Sequence, residues 1–288
     1  MLSIKLFPAI RKRLMIMLAM YAVGLGILLI FVPEQTRGMM LILAVFALLA
    51  VLFSAGKQAQ QENERRIRML YNELDCEGFI REYEPLLAKA DQTPSLSLMV
   101  RMHLSNAYMA LGRFEDAMKI LRETPVTGKK EEARLLSRFA AASNISLCYE
   151  QQGKVQEAEK AMKELLELKG QLERIQETKP MQQRMVFNTT LNEECLKLLK
   201  EGKCDVEKIK EQRNGAQMLQ RLTLSLWIAK AYIADGRIRE AREMLESVQK
   251  VGGHLYLGKE ASRTLLELKG IGETMDDKDT KTGPQDEP

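Results

Sequence analysis

Two hydrophobic patterns divide the chain. Leu14 to Val32 is a run of 19 residues without a charge, and Met39 to Ala55 is a second of 17. Neither has a polar stripe, so each predicts a helix that is apolar on every side. From about residue 57 the pattern changes. Apolar residues recur at three- and four-residue spacing, and each run stops at Gly or Pro, which predicts amphipathic helices. They fall near 58–75, 78–90, 94–111, 114–123, 130–152, 154–177, 181–201, 205–213, 216–235, 238–250 and 256–269. Gly78, Gly112, the Pro125–Gly128 stretch, Gly153, Lys179-Pro180, Gly202, Asn214-Gly215, Gly236 and Gly252-Gly253 supply the breaks. Thr93 offers a capping hydroxyl before Pro94 at a first helical position. Short connections of this kind predict antiparallel neighbours. The fold class is therefore all-α.

A bilayer core of ~30 Å takes ~20 helical residues, with ~17 as the lower limit, so both uncharged runs are long enough to span. Pro33 ends the first and Gly38 lets the chain reverse, which makes a transmembrane helical hairpin with spans 14–32 and 39–55. A cleaved signal peptide has a shorter apolar core, ~7–15 residues, and no second span at once behind it. Lys5, Arg11, Lys12 and Arg13 precede the hairpin, Lys57, Arg65, Arg66 and Arg68 follow it, and Arg37 alone lies at its tip. That asymmetry places both termini, and everything after the hairpin, on the cytoplasmic side. Gly24 and Gly26 give the first span a small-residue patch, expected to serve packing within the hairpin. Arg65, Arg66 and Arg68 either face anionic headgroups, at ~1 kcal/mol each, or serve topology alone.

Charge sharpens the division. Residues 1–55 hold five basic side chains against Glu34, whereas the rest of the chain is balanced, so the net charge of +4 belongs to the N-terminal part. A folded part without basic excess argues against a nucleic-acid partner. Four segments follow: a basic cytoplasmic N-terminus (1–13), the hairpin (14–55), a helical repeat domain (57–271) and a polar, acidic tail (272–288) expected to be disordered.

Within the repeat domain one string recurs. Asn-Ala-Tyr-Met-Ala-Leu-Gly-Arg-Phe-Glu-Asp-Ala (106–117) is echoed at 147–158 and 230–241 in a shared frame, Tyr-x3-Gly-x-apolar-x2-Ala. It takes in Tyr108, Gly112, Phe114 and Ala117; Tyr149, Gly153, Val155 and Ala158; Tyr232, Gly236, Ile238 and Ala241. The Gly suits a left-handed helix end, the apolar residue opens the inner face of the next helix, and the Ala permits close approach. This frame resembles the tetratricopeptide repeat, a helix-turn-helix unit of ~34 residues. The resemblance implies an α-solenoid. Gly202 lies 34 before Gly236 and Gly78 lies 34 before Gly112, so degenerate units are expected at 181–213 and 58–90, with 256–269 as a C-terminal cap. The Trp expected early in the family's first helix is absent; Trp227 falls slightly off that position.

Chemical signatures are few. The chain has no phosphate-loop motif and no Gly-x-Gly-x-x-Gly after a strand, and Gly252-Gly253-His254 reads as a helix break. His103 and His254 have no partnering motif, and Cys76, Cys148, Cys195 and Cys204 lack zinc-site spacing. The thiols are expected to be free and to act as small hydrophobes. The sequons at Asn144 and Asn188 lie in predicted helices and read as chance. No enzyme, metal or cofactor is expected.

In the family that the frame resembles, the first helix of each unit lines a concave groove. The resemblance places Met99, Met102, Asn106 and Met109 there in the first clear unit, Ser143, Asn144, Leu147 and Glu150 in the second, and Leu226, Lys230 and Ile233 in the third. Whatever the family, the three-four-three spacing of 99–109 puts those four residues on one helical face. Methionine suits a peptide groove because it is flexible; the alternative is a methionine-filled seam against the preceding helix pair. Asn106 and Asn144 match two polar positions of a carboxylate clamp in such relatives, but Met102, Thr223 and Trp227 stand at its basic positions. A short apolar or amphipathic segment is the better ligand. The function expected is a membrane-anchored adaptor binding a protein or peptide partner at the cytoplasmic face. The alternative is a structural or assembly subunit of a larger membrane complex, with the array as a brace.

Overall fold

A computed structural model describes residues 7–31, 33–91, 93–124, 131–175 and 179–279. Every element in it is helical: α1 (Pro8–Phe31), α2 (Glu34–Tyr71), α3 (Cys76–Tyr83), a 3-10 turn (Glu84–Leu86), α4 (Leu87–Ala90), α5 (Pro94–Ala110), α6 (Phe114–Arg122), α7 (Glu131–Gln151), α8 (Val155–Ile175), α9 (Lys179–Glu201), α10 (Val206–Asn214), α11 (Met218–Ala234), α12 (Ile238–Gly252) and α13 (Tyr256–Asp279). The expected break at Pro125–Gly128 and the tail beyond Asp279 lie outside the described residues.

Helices α1 and α2 form the hairpin, each long and apolar enough to cross a membrane, with only 6% of each apolar window buried. Their seam repeats every three or four residues: Leu14, Leu18, Tyr21, Leu25 and Leu29 against Met40, Ala44, Leu48, Val51, Ala55 and Ala59. The Tyr21 hydroxyl donates to the Ala44 carbonyl across it. Gly24 and Gly26 do not serve this seam, because a Cβ at either would meet nothing within 4 Å.

Two boundaries differ from the sequence reading. Helix α1 begins at Pro8, so Arg11, Lys12 and Arg13 are already helical rather than part of a separate segment. Helix α2 runs unbroken for 38 residues, from the hairpin tip to the first turn of the array. Gly56 and Lys57 do not stop it; a mid-helix Gly costs only ~1 kcal/mol, and Ala55 and Ala59 continue the buried seam on either side. The expected domain boundary at 57 therefore falls inside a helix. Beyond it, Arg65 and Arg66 pair with Glu62 and with Glu82 of α3, and Arg66 lies over the Phe7 ring at 4.7 Å. These two arginines brace the junction, leaving Arg68 exposed.

The array then stacks α2–α3, α5–α6, α7–α8, α9–α10 and α11–α12 as antiparallel pairs. Gly112, Gly153, Gly202 and Gly236 all have φ between +66° and +76°, where a residue with a Cβ would lose ~1–2 kcal/mol. In the three clear units the Tyr carbonyl accepts from the residue after the Gly: Arg113, Lys154 and Arg237, at 2.8, 2.9 and 2.8 Å. Ala117, Ala158 and Ala241 are fully buried, as the frame predicts.

The first unit follows the frame in a different register. Leu74, at φ +61°, takes the glycine position, and Leu70-x3-Leu74-x-Cys76-x2-Phe79 carries the pattern. Gly78 is not the turn; it lies in the first turn of α3, where its N–H donates to Asp75 at 2.9 Å. The expected helix 78–90 is split at Pro85, which opens the 3-10 turn.

The array is not open-ended. Helix α13 covers α12 as expected of a cap, but the segment entering it also reaches back to the first three turns. His254 Nε2 donates to the Leu74 carbonyl at 3.1 Å. The Tyr256 ring sits over Gly112, where a Cβ would lie 2.9 Å from its Cδ2, and meets Phe114 edge-on at 4.9 Å. The Tyr256 hydroxyl donates to the Gln151 carbonyl at 3.1 Å. Leu255, Leu257, Ala261 and Leu268 consequently share one apolar core with Leu70, Phe79, Leu104 and Leu226. Helix α13 also continues to Asp279, past the expected start of the tail at 272; residues 272–279 contain no proline to end it, and extending a formed helix is far cheaper than nucleating one.

Candidate functional site

On the inner face, the first helices of successive units exchange polar side chains. Asn106 Nδ2 of α5 donates to the Tyr71 hydroxyl of α2 at 2.7 Å, and that hydroxyl lies 3.0 Å from His103 Nδ1. Asn144 Nδ2 of α7 donates to Asn106 Oδ1 and Ser105 Oγ, both at 3.1 Å. Ser143, its neighbour, donates to Asn192 Oδ1 of α9 at 3.1 Å. Asn192 Nδ2 donates to the Ser143 carbonyl at 3.0 Å and to Glu150 Oε1 at 3.2 Å, and Ser146 donates to the same Glu150 oxygen at 2.6 Å. Two hydrogen-bonded chains thus meet at Ser143-Asn144 and register four helices against one another, and the second oxygen of Glu150 is buried without a hydrogen-bond partner. The sequon Asn144 is buried within them.

Burial sets the charge of this ladder. It pulls His103 down to about 4 and pushes Tyr71 up to about 12. Burial also raises Glu150 to about 8, against the lowering effect of its bonds from Ser146 and Asn192. Burial thus favours the neutral imidazole and the protonated carboxyl over their charged forms.

Beside the ladder lies a cavity of about 380 Å³, within the ~300–1,000 Å³ common for ligand sites. Asn106, Met109, Ser143, Asn144 and Leu147, five of the sequence-predicted groove residues, line it. So does Thr223, which the sequence reading put at a clamp position, and so do Tyr71, Gln151, Asn192, Leu219 and Leu257, which it did not place there. Among the described lining residues there is no Lys or Arg, and Glu211 is the one that carries a charge.

The other predicted positions fall elsewhere. Met99 packs against the main core and Leu226 is buried within it. Met102 is half-buried and outside the cavity lining. Glu150 is fully buried as a member of the ladder and is not among the residues lining the cavity. Lys230 pairs with Glu260 of α13 at 3.2 Å, and Ile233 is a half-buried packing residue between two apolar clusters. The face of α11 is the expected one, but α13 covers its C-terminal half and the cavity meets its N-terminal half, at Leu219 and Thr223.

Helical arithmetic would have found Gln151. At ~100° per residue, position 151 returns to within ~20° of Asn144, whereas position 150 lies ~120° away. Tyr71 enters from the preceding unit through its bond from Asn106, and Leu257 carries no such signal because chain closure brings it in. The thiols do not join the site. Cys76 and Cys148 are buried in the main core, and burial pushes both up to about 12.

Three segments match models of the tetratricopeptide repeat: residues 97–124, 140–172 and 223–251. They coincide with α5–α6, α7–α8 and α11–α12, so the chain carries tetratricopeptide repeats in an all-α array. No curated protein and no solved structure matches the chain.

Proposed function

We propose that this tetratricopeptide-repeat chain is a non-catalytic adaptor, anchored in a membrane by α1 and α2, that binds a protein partner through the cavity. The observation that carries the reading is the coincidence of three repeat matches with a ligand-sized cavity on the inner face of those repeats. A short apolar or amphipathic segment fits better than a free carboxylate, which would find no cation on the described lining. The flanking Lys and Arg residues support an orientation with both ends and the array cytoplasmic.

A second reading, a structural subunit of a membrane complex, draws support from α2. A span that continues as the first helix of the array leaves no flexible linker, and holds Tyr71 at ~24 Å along the helix from Ala55. An adaptor on a tether would not need that rigidity.

Affinity capture with the full chain in lipid nanodiscs tests the adaptor reading. Truncation at 57 is unsuitable, because it cuts α2 and removes Phe7 and Ala55 from the shared core. Leu147→Arg, at a half-buried lining position, should lose the partner while keeping the wild-type melting temperature; undiminished capture would sink the cavity reading. Reporter fusions at the C-terminus and at the hairpin tip should report opposite sides of the membrane.

A further inference from the structure

Four cations stand at the open end of the hairpin. Arg11, Lys12 and Arg13 lie at the start of α1, within three residues of the uncharged run that begins at Leu14, and Lys57 of α2 lies two residues beyond the run that ends at Ala55. At ~1.5 Å of rise per residue, each is within ~5 Å of an apolar span along its helix. All four are exposed, and among the described residues none is held by a carboxylate.

Helical geometry spreads them around the hairpin. Leu14 is buried towards α2; Lys12 points ~160° away from it, with Arg11 and Arg13 on either flank. Lys57 lies ~160° from both Ala55 and Ala59, the buried seam residues of α2. The four form a collar rather than a one-sided patch. The turn that carries three of them is fixed in place: Phe7 is buried against Arg66, whose guanidinium lies 4.7 Å from its ring centroid, and Ile10 packs on the core.

Other charges near the hairpin already have partners. Glu34 takes Arg37 at the tip, at 3.5 Å, and Glu62 and Glu82 hold Arg65 and Arg66. Orientation in a membrane needs cations close to the spans, but it does not need them ringed around the hairpin at one depth and free of counter-charge. Cations ordered in advance at the depth where headgroups begin suit a negatively charged headgroup, at little further ordering cost.

We propose that the collar of Arg11, Lys12, Arg13 and Lys57 binds anionic phospholipid headgroups in the leaflet at the hairpin's open end. The anchor then selects its lipid as well as spanning the bilayer. This rests on the membrane-anchored reading above.

The test uses the full chain in vesicles of equimolar phosphatidylcholine and phosphatidylglycerol, with a trace of one lipid or the other spin-labelled. Electron spin resonance then reads the fraction of each lipid that the protein immobilises. Phosphatidylglycerol should be preferred by at least about fivefold, the size of one such contact. Salt at ~1 M, where the Debye length is ~3 Å, should remove most of that preference. Arg11→Gln, Lys12→Gln, Arg13→Gln and Lys57→Gln combined should remove it too, while phosphatidylcholine is immobilised as before; if that variant fails to insert, the salt series on the parent chain decides. Arg11→Lys with Arg13→Lys keeps the charge and should keep the preference. Arg68→Gln, which removes an exposed cation ~16 Å further along α2, should change nothing. Equal immobilisation of the two lipids by the parent chain, a preference that survives salt or the combined Gln variant, or an equal loss in Arg68→Gln overturns the inference and leaves the anchor standing. No immobilised fraction of either lipid overturns the anchor reading, and this inference with it.

Discussion

In the hairpin, Phe31 and Phe53 are 81% and 76% exposed, whereas Phe79 and Phe139 of the repeat array are 0% and 3% exposed. The two regions use the same residue types in opposite directions. Along α1 and α2 one stripe faces the partner helix and the other apolar positions face outward, which suits a hydrocarbon solvent. In the array the apolar stripes of successive pairs face inward and close into shared cores. Helix α2 takes part in both, and its seam residues Ala55 and Ala59 belong to the same cluster as Leu70 and Tyr71. The change from outward-facing to inward-facing apolar side chains thus happens within one helix, without a change of backbone.

The largest expected effect separates the regions by one substitution made twice. Leu165→Ala removes a fully buried side chain from the α7–α8 core and should cost ~2–5 kcal/mol, read as a lowered melting temperature. Leu43→Ala, at an outward position of α2 that is 55% exposed, should leave that melting temperature unchanged. Leu43→Arg should instead impair membrane insertion, by ~2.5–3.5 kcal/mol on an insertion assay. If Leu43→Ala destabilised the array as Leu165→Ala does, the outward face of α2 would not be facing lipid.

A second contrast is electrostatic. Glu150 is raised in the folded protein to about 8 from an ordinary value of 4.5. The unfolded chain therefore loses this proton before the folded chain does. The stability tied to Glu150 is full below about pH 4.5, falls as pH rises, and is gone once pH passes the folded value of about 8. Thermal unfolding of Glu150→Gln compared with wild type from pH 5 to 8 should show the variant gaining relative stability with pH. A flat difference would mean that the ladder already holds a charged carboxylate.

The turns give a smaller, sharper contrast. Gly153→Ala should cost ~1–2 kcal/mol from its left-handed backbone, since a Cβ there meets nothing. Gly112→Ala should cost more, because its Cβ would also press on the Tyr256 ring. In a Tyr256→Ala background the two should converge.

These turns also show what the sequence carries and what it hides. Gly112, Gly153, Gly202 and Gly236 were legible because glycine is the residue that accepts their φ without strain. Leu74 makes the corresponding turn with nothing in its side chain to announce it, so the nearby Gly78 was chosen and the first unit was set four residues late. Five of the nineteen residues lining the cavity were legible from the faces of α5 and α7. Leu257 depends on chain closure, through contacts such as His254 to Leu74 and Tyr256 to Gln151. Their partners lie more than a hundred residues apart, beyond the reach of any periodicity.

The smallest effect concerns that closure. Tyr256→Phe keeps the ring that covers Gly112 and meets Phe114, and removes only the bond to the Gln151 carbonyl. One hydrogen bond of this kind should contribute ~0.5–1.5 kcal/mol to unfolding free energy. The consequence for the cavity should exceed the consequence for stability, because Gln151 and Leu257 both line it and Tyr256 ties their two helices together. Amide hydrogen exchange should therefore quicken at the C-terminal turn of α7 and the first turn of α13, while α1 and the hairpin half of α2 exchange as before. If exchange in the hairpin rose equally, closure would be a global property of the chain rather than a local tie across the first three turns of the array.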